Sequence, residues 1–191
     1  MTRIVLPAEP LEAGPTALRP WRDTDISWVV GACQDPEIPR WTAVPSPYRE
    51  SDARAFLSRR YDALHTGSEA SFAIVRSEDI DNGLLGSISL LHLAWQDGSC
   101  EVGYWLAHDA RGHGHATRAV LRICAWGFQA LGLERIALLT ATGNVTSQRV
   151  AERAGFTREA VLRSYLLSKQ GRLDMVVFGL LPEALRLAGA R

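Results

Sequence analysis

A glycine-rich turn between a strand and a helix constrains this chain more than any other feature. The turn, Arg111-Gly112-His113-Gly114-His115-Ala116-Thr117, follows the apolar run Val102–Leu106 and precedes Ala116–Leu131, whose apolar side chains recur at the helical period. The first N–H groups of a helix have no partner inside the helix, and the helix dipole favours negative charge there. Glycines let a ligand approach the backbone closely. The turn therefore predicts a site for phosphate groups, such as a pyrophosphate.

Composition narrows the classes of protein and of ligand. The 191 residues suffice for one domain with a substantial core, and a formal net charge of zero argues against nucleic acid as a partner. No apolar run approaches the length of a membrane span, and Ile4–Leu6 is too short for a signal-peptide core, so we expect a cytoplasmic protein. The cysteines Cys33, Cys100 and Cys124 show no metal-ligand spacing and no disulfide framework, which predicts no metal and a reducing compartment.

The phosphate turn does not match the common nucleotide motifs. Lys169 is the sole lysine, and no Gly-Lys-Ser/Thr triplet exists, so the turn is not a nucleoside triphosphatase loop. It also lacks the third glycine of a dinucleotide-binding fingerprint, and the preceding strands have the pattern of a meander.

The remaining pattern predicts a mixed fold. We expect residues 1–15 to form a loose arm and Gln34–Tyr48, with four prolines, to form an irregular loop. Ser51 is the predicted N-cap of a helix that runs to about His65, and Asp81-Asn82-Gly83 is a predicted hairpin turn. Strands are predicted at Thr16–Arg22, Ser71–Arg76, Leu84–Leu93, Cys100–Leu106, Ile136–Thr140, Val161–Leu167 and Asp174–Leu181.

A second constellation lies about 30 residues after the turn. Asn144 precedes a predicted helix, Val145–Ala154, and Gly155 follows it. Asn144 and Ser147 are three positions apart, so they share one face at the helix start and are expected to open toward the same cleft as the phosphate turn. The alternative is that Asn144 and Gly155 serve only as helix caps.

These motifs together resemble a known superfamily. Arg-x-x-Gly-x-Ala at Arg111–Ala116 resembles the acyl-CoA pyrophosphate motif of the GNAT acyltransferases. The similarity covers residues 16–182 and is greatest to the branch of ribosomal-protein N-terminal acetyltransferases (RimJ/RimL-type). Arg118 departs from that branch, which usually has Glu there. The other resembling segments are Leu18-Arg19-Pro20, Trp41-Thr42 with Pro45 and Tyr48, Glu101–Leu106 and Asn144–Phe156.

The resemblance implies a fold and a co-substrate. The fold is a single GNAT-like α/β (α+β) domain over residues 16–182, between the arm and a tail at 183–191. It has a mixed, mostly antiparallel sheet of about seven strands, flanking helices and a splayed central cleft. The co-substrate is acetyl-CoA, and a homodimer is plausible by the same resemblance. Its predicted contacts are backbone groups of Trp105, Leu106 and Ala107 for pantetheine, the turn residues Arg111, Gly112, His113, Gly114, His115, Ala116 and Thr117 for pyrophosphate, and Asn144 and Ser147.

The implied reaction is direct attack of an amine on the acetyl thioester. It needs a base for the amine, an oxyanion donor and an acid for the thiolate. Glu101 is the candidate base, although it is also typical of a solvated carboxylate at a strand end. Ser147 is the candidate acid, with Tyr165 as its rival, and Asn144 is expected to hold the pantetheine or acetyl end. The oxyanion donor is expected to be a backbone N–H near Leu106.

Acceptor and donor stay open at this stage. Trp41 and Tyr48 are the candidate acceptor contacts, and the acceptor is an amine on a small molecule or a protein N-terminus. Cys100 has no partner base, which argues against a covalent acyl-cysteine route. The alternatives are a longer donor such as succinyl-CoA, favoured if an arginine projects into the acyl end, a non-catalytic acyl-CoA sensor, and a nucleotide-binding module.

Overall fold

The computed structural model describes residues 4–169 and 171–188. The helices are α1 Ile26–Ala32, α2 Glu37–Trp41, α3 Glu50–Thr66, α4 His115–Ala130, α5 Val145–Arg153 and α6 Pro182–Ala188. The strands are β1 Leu11–Ala13, β2 Thr16–Arg19, β3 Ala70–Arg76, β4 Asp79–Ala94, β5 Ser99–Leu106, β6 Arg135–Ala141, β7 Thr157–Ser168 and β8 Gly171–Leu180. None of the helices within these ranges has the length and apolar character needed to cross a bilayer.

All eight strands form one sheet in the order β1-β2-β3-β4-β5-β6-β8-β7. Every neighbouring pair is antiparallel except β5 and β6, so the predicted mixed, mostly antiparallel sheet is confirmed. The strand beyond the predicted seven is β1, which pairs with β2 through Leu11↔Leu18. Ile4 and Leu11 are buried. Their burial differs from the predicted loose arm because these apolar side chains join the core, and α6 likewise occupies part of the predicted tail.

The parallel pair β5 and β6 separates after three residue pairs. Their register runs from Ser99↔Arg135 to Glu101↔Ala137 and stops there, although β5 continues to Leu106 and β6 to Ala141. The two strands therefore diverge and leave unpaired edges facing each other in the middle of the sheet. This gap is the splayed cleft that the family resemblance implies.

Helices cover both faces of the sheet. Helix α4 buries Ala119, Val120, Ile123 and Cys124 on one face, at the helical spacing that the sequence predicts. On the other face, α1 and α3 pack their apolar side chains with Trp21 against β2 and β3. The sheet is therefore buried on both faces.

A buried ion pair lies at the end of β2, beside the apolar cluster that α1 and α3 form with β2 and β3. Arg19 donates to both carboxylate oxygens of Asp25, at 2.7 and 2.8 Å, and the two side chains are 1% and 3% exposed. Arg19 also donates to the carbonyls of Ile80 and Asp81 in β4. The guanidinium thus links β2, the turn before α1 and β4.

Three local predictions differ from the structure. Helix α3 begins at Glu50 after Arg49, whose N–H donates to Asp52 Oδ2, so Ser51 is not the N-cap. The proline-rich loop contains the short helix α2. Residues 81–83 lie within a register shift of β4 rather than at the hairpin turn, because Arg76 pairs with Asp79 and the chain reverses at residues 77 and 78.

Candidate active site

A cavity of about 820 Å³ occupies the gap between β5 and β6. One part of its wall is the phosphate turn, and a second part is formed by the diverging strands and the start of α5. A third part, called here the acceptor end, is formed by Trp41–Pro45, by Tyr48 and by the α3 residues Asp52, Phe56, Arg59 and Arg60. The sequence predicted the first two parts of this wall, but of the third part only Trp41 and Tyr48.

The phosphate turn owes its shape to two glycines with positive φ. Gly112 has φ +83° and Gly114 φ +79°, a region in which other residues are strained. Gly114 is the N-cap of α4, and no side chain caps the first-turn N–H groups. Arg118 Nη1 donates to the carbonyl of His113 at 2.8 Å and so fastens the turn to its helix. The residue that departs from the related branch therefore has a structural contact here.

The two histidines of the turn differ in position. His115 lines the cavity, and its Nδ1 lies 2.8 Å from Thr16 Oγ1 in β2. Burial lowers the pKa of His115 below its ordinary value, and the positive charges of Arg118 and neighbouring groups lower it further. His113, which the sequence analysis also assigned to the co-substrate, is not among the cavity-lining residues. Its carbonyl is engaged by Arg118 instead.

The guanidinium of Arg111 contacts the end of β5 and Asp35. Its Nε and Nη2 donate to the carbonyl of Leu106 at 3.2 and 2.9 Å, and Nη2 also lies 2.5 Å from Asp35 Oδ2. Asp35 Oδ1 accepts the N–H of Glu37 at the start of α2. Burial alone would raise the pKa of Asp35, but the Glu37 N–H and Arg111 together lower it below its ordinary value. Arg111 therefore ties β5 to the α1–α2 loop.

The backbone of β5 alternates between its two neighbours. The N–H of Ala107 donates to Leu85 O in β4, at 2.9 Å. Because peptide groups alternate in direction along a strand, the backbone of Trp105 also faces β4, whereas those of Leu106 and Tyr104 face the gap. Ala107 does not line the cavity, and Trp105 contributes its side chain, which stacks on Trp28. Of the three predicted pantetheine contacts, only Leu106 presents its backbone to the gap.

The start of α5 places two predicted polar side chains in the cavity wall. Asn144 Oδ1 accepts the N–H of Ser147 at 3.1 Å, so Asn144 is both an N-cap and a lining residue. Ser147 Oγ lies 3.0 Å from the hydroxyl of Tyr104 in β5. Tyr104 is a lining residue that the sequence analysis did not single out. Its position in β5, two residues before Leu106, was the available indication.

Two further predicted residues lie outside the cavity wall. Glu101 is not among the lining residues, and its carboxylate lies 3.4 Å from His92 Nδ1. It nevertheless occupies the last paired position before β5 and β6 diverge. Tyr165, the rival acid, is 55% exposed on β7 and does not line the cavity.

The acceptor end carries the predicted aromatic side chains. Trp41 donates its ring N–H to Glu37 Oε2 at 3.1 Å, and its ring edge lies against Gly143, next to Asn144. Tyr48 is buried, and burial raises the pKa of its hydroxyl well above the usual range. Both residues line the cavity.

The sequence analysis did not predict the ion pair between Arg60, at the acceptor end, and Glu69. Arg60 pairs with Glu69, lies over the Phe56 ring at 4.8 Å and lines the cavity. Burial raises the pKa of Glu69 despite the opposing charge of Arg60. Helix α3 had only a weak apolar pattern, so nothing in its sequence marked Arg60 as inward-facing.

The thiols are unsuited to covalent catalysis. Cys33, Cys100 and Cys124 are all buried, and burial raises the pKa values of Cys33 and Cys100 to about 12. A thiolate is the nucleophilic form, so neither of these two groups is activated. Within residues 4–169 and 171–188, no group of three or more His, Cys, Asp and Glu side chains is arranged to hold a metal ion.

Comparison with known proteins defines the class. The Acetyltransferase (GNAT) domain family matches residues 16–157. The chain is 37% identical over 101 residues to a Bacillus subtilis protein named "Putative ribosomal N-acetyltransferase YdaF"; the match covers 53% of this chain and 55% of that protein, so the chain spans about half the length of this relative.

Solved structures share the fold. Mycobacterium smegmatis RimJ, in complex with a CoA disulfide, superposes with a TM-score of 0.81 at 23% identity, over 95% of this chain and 93% of that one. The spermidine N-acetyltransferase of Vibrio cholerae, in complex with CoA and spermine, gives 0.77 at 19% identity, over 90% and 98%. The chain belongs to the GNAT family of acetyltransferases, which confirms the resemblance stated from its motifs.

Proposed function

We propose that this protein transfers an acetyl group from acetyl-CoA to a primary amine. One observation carries the proposal: a single cavity joins the phosphate turn, the unpaired edges of β5 and β6 and the acceptor end. Such a cavity matches a linear donor with a pyrophosphate near one end and a thioester at the other.

The donor is held mainly by backbone groups. The amides of Gly112–Thr117 bind the pyrophosphate, because they are uncapped and lie at the positive end of the α4 dipole. The pantetheine arm lies along β5 and bonds the gap-facing backbone of Leu106 and Tyr104 as an added strand. Arg111 acts indirectly, since it fixes the end of β5 through the Leu106 carbonyl.

The reaction forms a C–N bond and breaks the C–S bond of the thioester. The amine nitrogen attacks the acetyl carbon and loses one proton, and the departing thiolate gains one to give free CoA. An α-amino group has a pKa of about 8 against about 10.4 for lysine, so an N-terminal amine is more often neutral and needs a weaker base. Glu101 accepts the amine proton through water, since its carboxylate lies outside the cavity wall.

Ser147 and Asn144 act at the sulfur end. Ser147 presents its hydroxyl to the departing sulfur. Because Asn144 Oδ1 is occupied by the Ser147 N–H, its amide NH₂ group is the part that holds the pantetheine or acetyl end. The gap-facing N–H groups of β5 stabilise the oxyanion.

The test is turnover of acetyl-CoA with a panel of amines, read as CoA thiol release and as the mass of the acetylated product. Relatives named for ribosomal and spermidine acetylation make N-terminal peptides and polyamines the first acceptors to include. Ser147→Ala should lower kcat by about a hundredfold and change the Kd for CoA less than about twofold. The control is Ser58→Ala, an exposed serine on α3.

Other outcomes would overturn the proposal. Tight CoA binding without thiol release for any amine would indicate an acyl-CoA sensor. Competition by ADP as effective as competition by CoA would indicate a nucleotide-binding module. Equal losses of kcat and of CoA affinity in Ser147→Ala would make Ser147 a binding residue.

Arg60 favours a second donor, a dicarboxylic acyl-CoA such as succinyl-CoA. Arg60 lines the acceptor end, and its guanidinium keeps N–H donors beyond the one that pairs with Glu69: Nε is buried and has no hydrogen-bond partner among the described residues, so a carboxylate at the acyl terminus is a suitable second partner. With one amine, the ratio of succinyl-CoA to acetyl-CoA turnover should fall in Arg60→Gln but not in Arg54→Gln, which removes an exposed arginine of the same helix. An unchanged ratio would exclude this donor class.

A further inference from the structure

We propose that Tyr104 is a positioning residue that aims the hydroxyl hydrogen of Ser147 at the sulfur of the acyl-CoA. The inference rests on the proposed function, since it assigns a role within the same site. Its basis is the 3.0 Å contact between Tyr104 Oη in β5 and Ser147 Oγ in α5. Both side chains line the cavity.

The direction of this hydrogen bond follows from the chemistry of the two hydroxyls. A phenol is more acidic than an aliphatic alcohol, so its O–H is the better donor, while the serine oxygen is the better acceptor. Tyr104 therefore donates to Ser147. The serine oxygen accepts through one lone pair, and its own hydrogen stays available to a ligand in the cavity.

The surroundings keep Tyr104 in the donating form. Burial raises the pKa of Tyr104 to about 12, against a smaller lowering by the Ser147 contact. The phenol therefore stays protonated throughout the range in which an amine acetyltransferase works. The backbone of Ser147 is fixed independently by the bond from its N–H to Asn144 Oδ1, so the two contacts together define where the hydroxyl lies.

The step balances without a change in the tyrosine. When the C–S bond breaks, its electron pair goes to sulfur and the Ser147 O–H donates to the thiolate. Glu101 takes the amine proton through water and passes it on through water, so this is the proton that finally resides on sulfur, and Tyr104 keeps its own. The hydrogen bond from Tyr104 makes the Ser147 hydroxyl a stronger donor, as expected for linked hydrogen bonds, and it also fixes the direction in which that hydroxyl donates.

The first experiment measures the thiol of bound CoA and needs no acceptor. Thiolate absorbance of bound CoA is followed against pH, with the complex of a sulfur-free CoA analogue as reference. A donor aimed at sulfur stabilises the thiolate, so Tyr104→Phe should raise the pKa of the bound thiol by about half a unit relative to wild type. Ser147→Ala should raise it at least as much, and the control Tyr165→Phe should leave it unchanged.

The second experiment is a double-mutant cycle on kcat. Tyr104→Phe should lower kcat by about fivefold with a Kd for CoA within about twofold of wild type, because it removes one neutral hydrogen bond but no binding group. Added to Ser147→Ala, it should cost nothing further, since the two act as a unit. Additive losses, or a bound thiol whose pKa is the same in Tyr104→Phe and wild type, would overturn the inference.

The two proposals fail differently. If no amine supports turnover but the bound thiol responds to Tyr104→Phe, the transfer function fails and the hydrogen-bond role stands. If turnover is found and neither the thiol pKa nor kcat responds, the role of Tyr104 fails and the function stands. If CoA does not bind at all, both are refuted. Thermal unfolding of each variant distinguishes a loss of folded structure from a change in the orientation of the Ser147 hydroxyl.

Discussion

Arg111 Nη2 lies 2.5 Å from Asp35 Oδ2, and this ion pair joins the phosphate turn to the loop that leads into α2. The same carboxylate accepts the N–H of Glu37, and α2 carries Trp41 into the cavity wall. The donor and acceptor ends of the cavity are thus mechanically connected through Asp35.

Asp35→Asn should therefore affect the acceptor more than the donor. Loss of the charge weakens the bond to Arg111, so the free energy of unfolding should fall by about 1–2 kcal/mol in urea titrations. The KM for the acceptor should rise severalfold because α2 is less firmly held, while the Kd for CoA stays within about twofold. Asp62→Asn, at an exposed position of α3, is the control. A larger effect on CoA than on the acceptor would contradict this assignment.

The sequence predicted the features whose causes are local. The phosphate turn, helix α4 and the N-cap at Asn144 each follow from glycine positions, apolar period or capping chemistry within about 15 residues. The splayed cleft came from the family resemblance rather than from the residues of β5 and β6. For helix α4 and the start of α5 the structure agrees with the prediction to within a residue or two, whereas the hairpin turn predicted at residues 81–83 lies at residues 77 and 78.

Contacts distant in the chain were beyond such reasoning. Tyr104 and Ser147 are 43 positions apart, and the role of Tyr104 depends on how β5 and α5 pack. Arg111 was assigned to phosphate because its motif pointed there, yet tertiary packing pairs it with Asp35. β1 was missed because three residues carry no periodicity. In each case the deciding information is a pairing in space, which one sequence does not contain.

Gly112 offers a sharper test of the phosphate site than Gly114. A Cβ at Gly114 would lie 2.8 Å from Arg118 Nη1, whereas one at Gly112 would meet nothing within 4 Å. Gly112→Glu should weaken CoA binding by more than about tenfold, because it adds a negative charge to an anion site. Gly112→Ala carries the same backbone strain, of about 1 kcal/mol, without the charge. Equal Kd values for the two variants, by calorimetry, would remove the phosphates from this turn.

The three cysteine thiols should not react with thiol reagents in the folded protein. Burial raises the pKa values of Cys33 and Cys100 to about 12, and Cys124 is buried within the α4 core. A disulfide exchange reagent should therefore titrate none of the three on the timescale of minutes in native buffer, and all three in denaturant. Rapid reaction of one thiol in the native state would reopen the covalent route. If no protein thiol reacts in native buffer, the same reagent can also be used to follow the release of CoA.

His115 links pH to both stability and CoA binding. Its pKa is lowered by burial and then by the charges of Arg118, His113 and Arg76, so the folded state binds its proton less readily than the unfolded state. The neutral His115 imidazole therefore contributes its full stabilisation of the folded state above the ordinary histidine pKa of about 6.5. This contribution is lost as the pH falls through the lowered pKa of the folded state.

Phosphate groups at the start of α4 would favour the charged imidazole, so saturating CoA should raise the pKa of His115. An NMR titration of the imidazole protons measures this, with the His115 signal assigned by His115→Gln. Pantetheine, which lacks phosphate, is the matched ligand and should leave the pKa where it is in the free protein. If CoA and pantetheine have the same effect, the pyrophosphate lies elsewhere. A rise with CoA alone places negative charge beside His115, because its neighbours Arg118 and Arg76 act in the opposite direction.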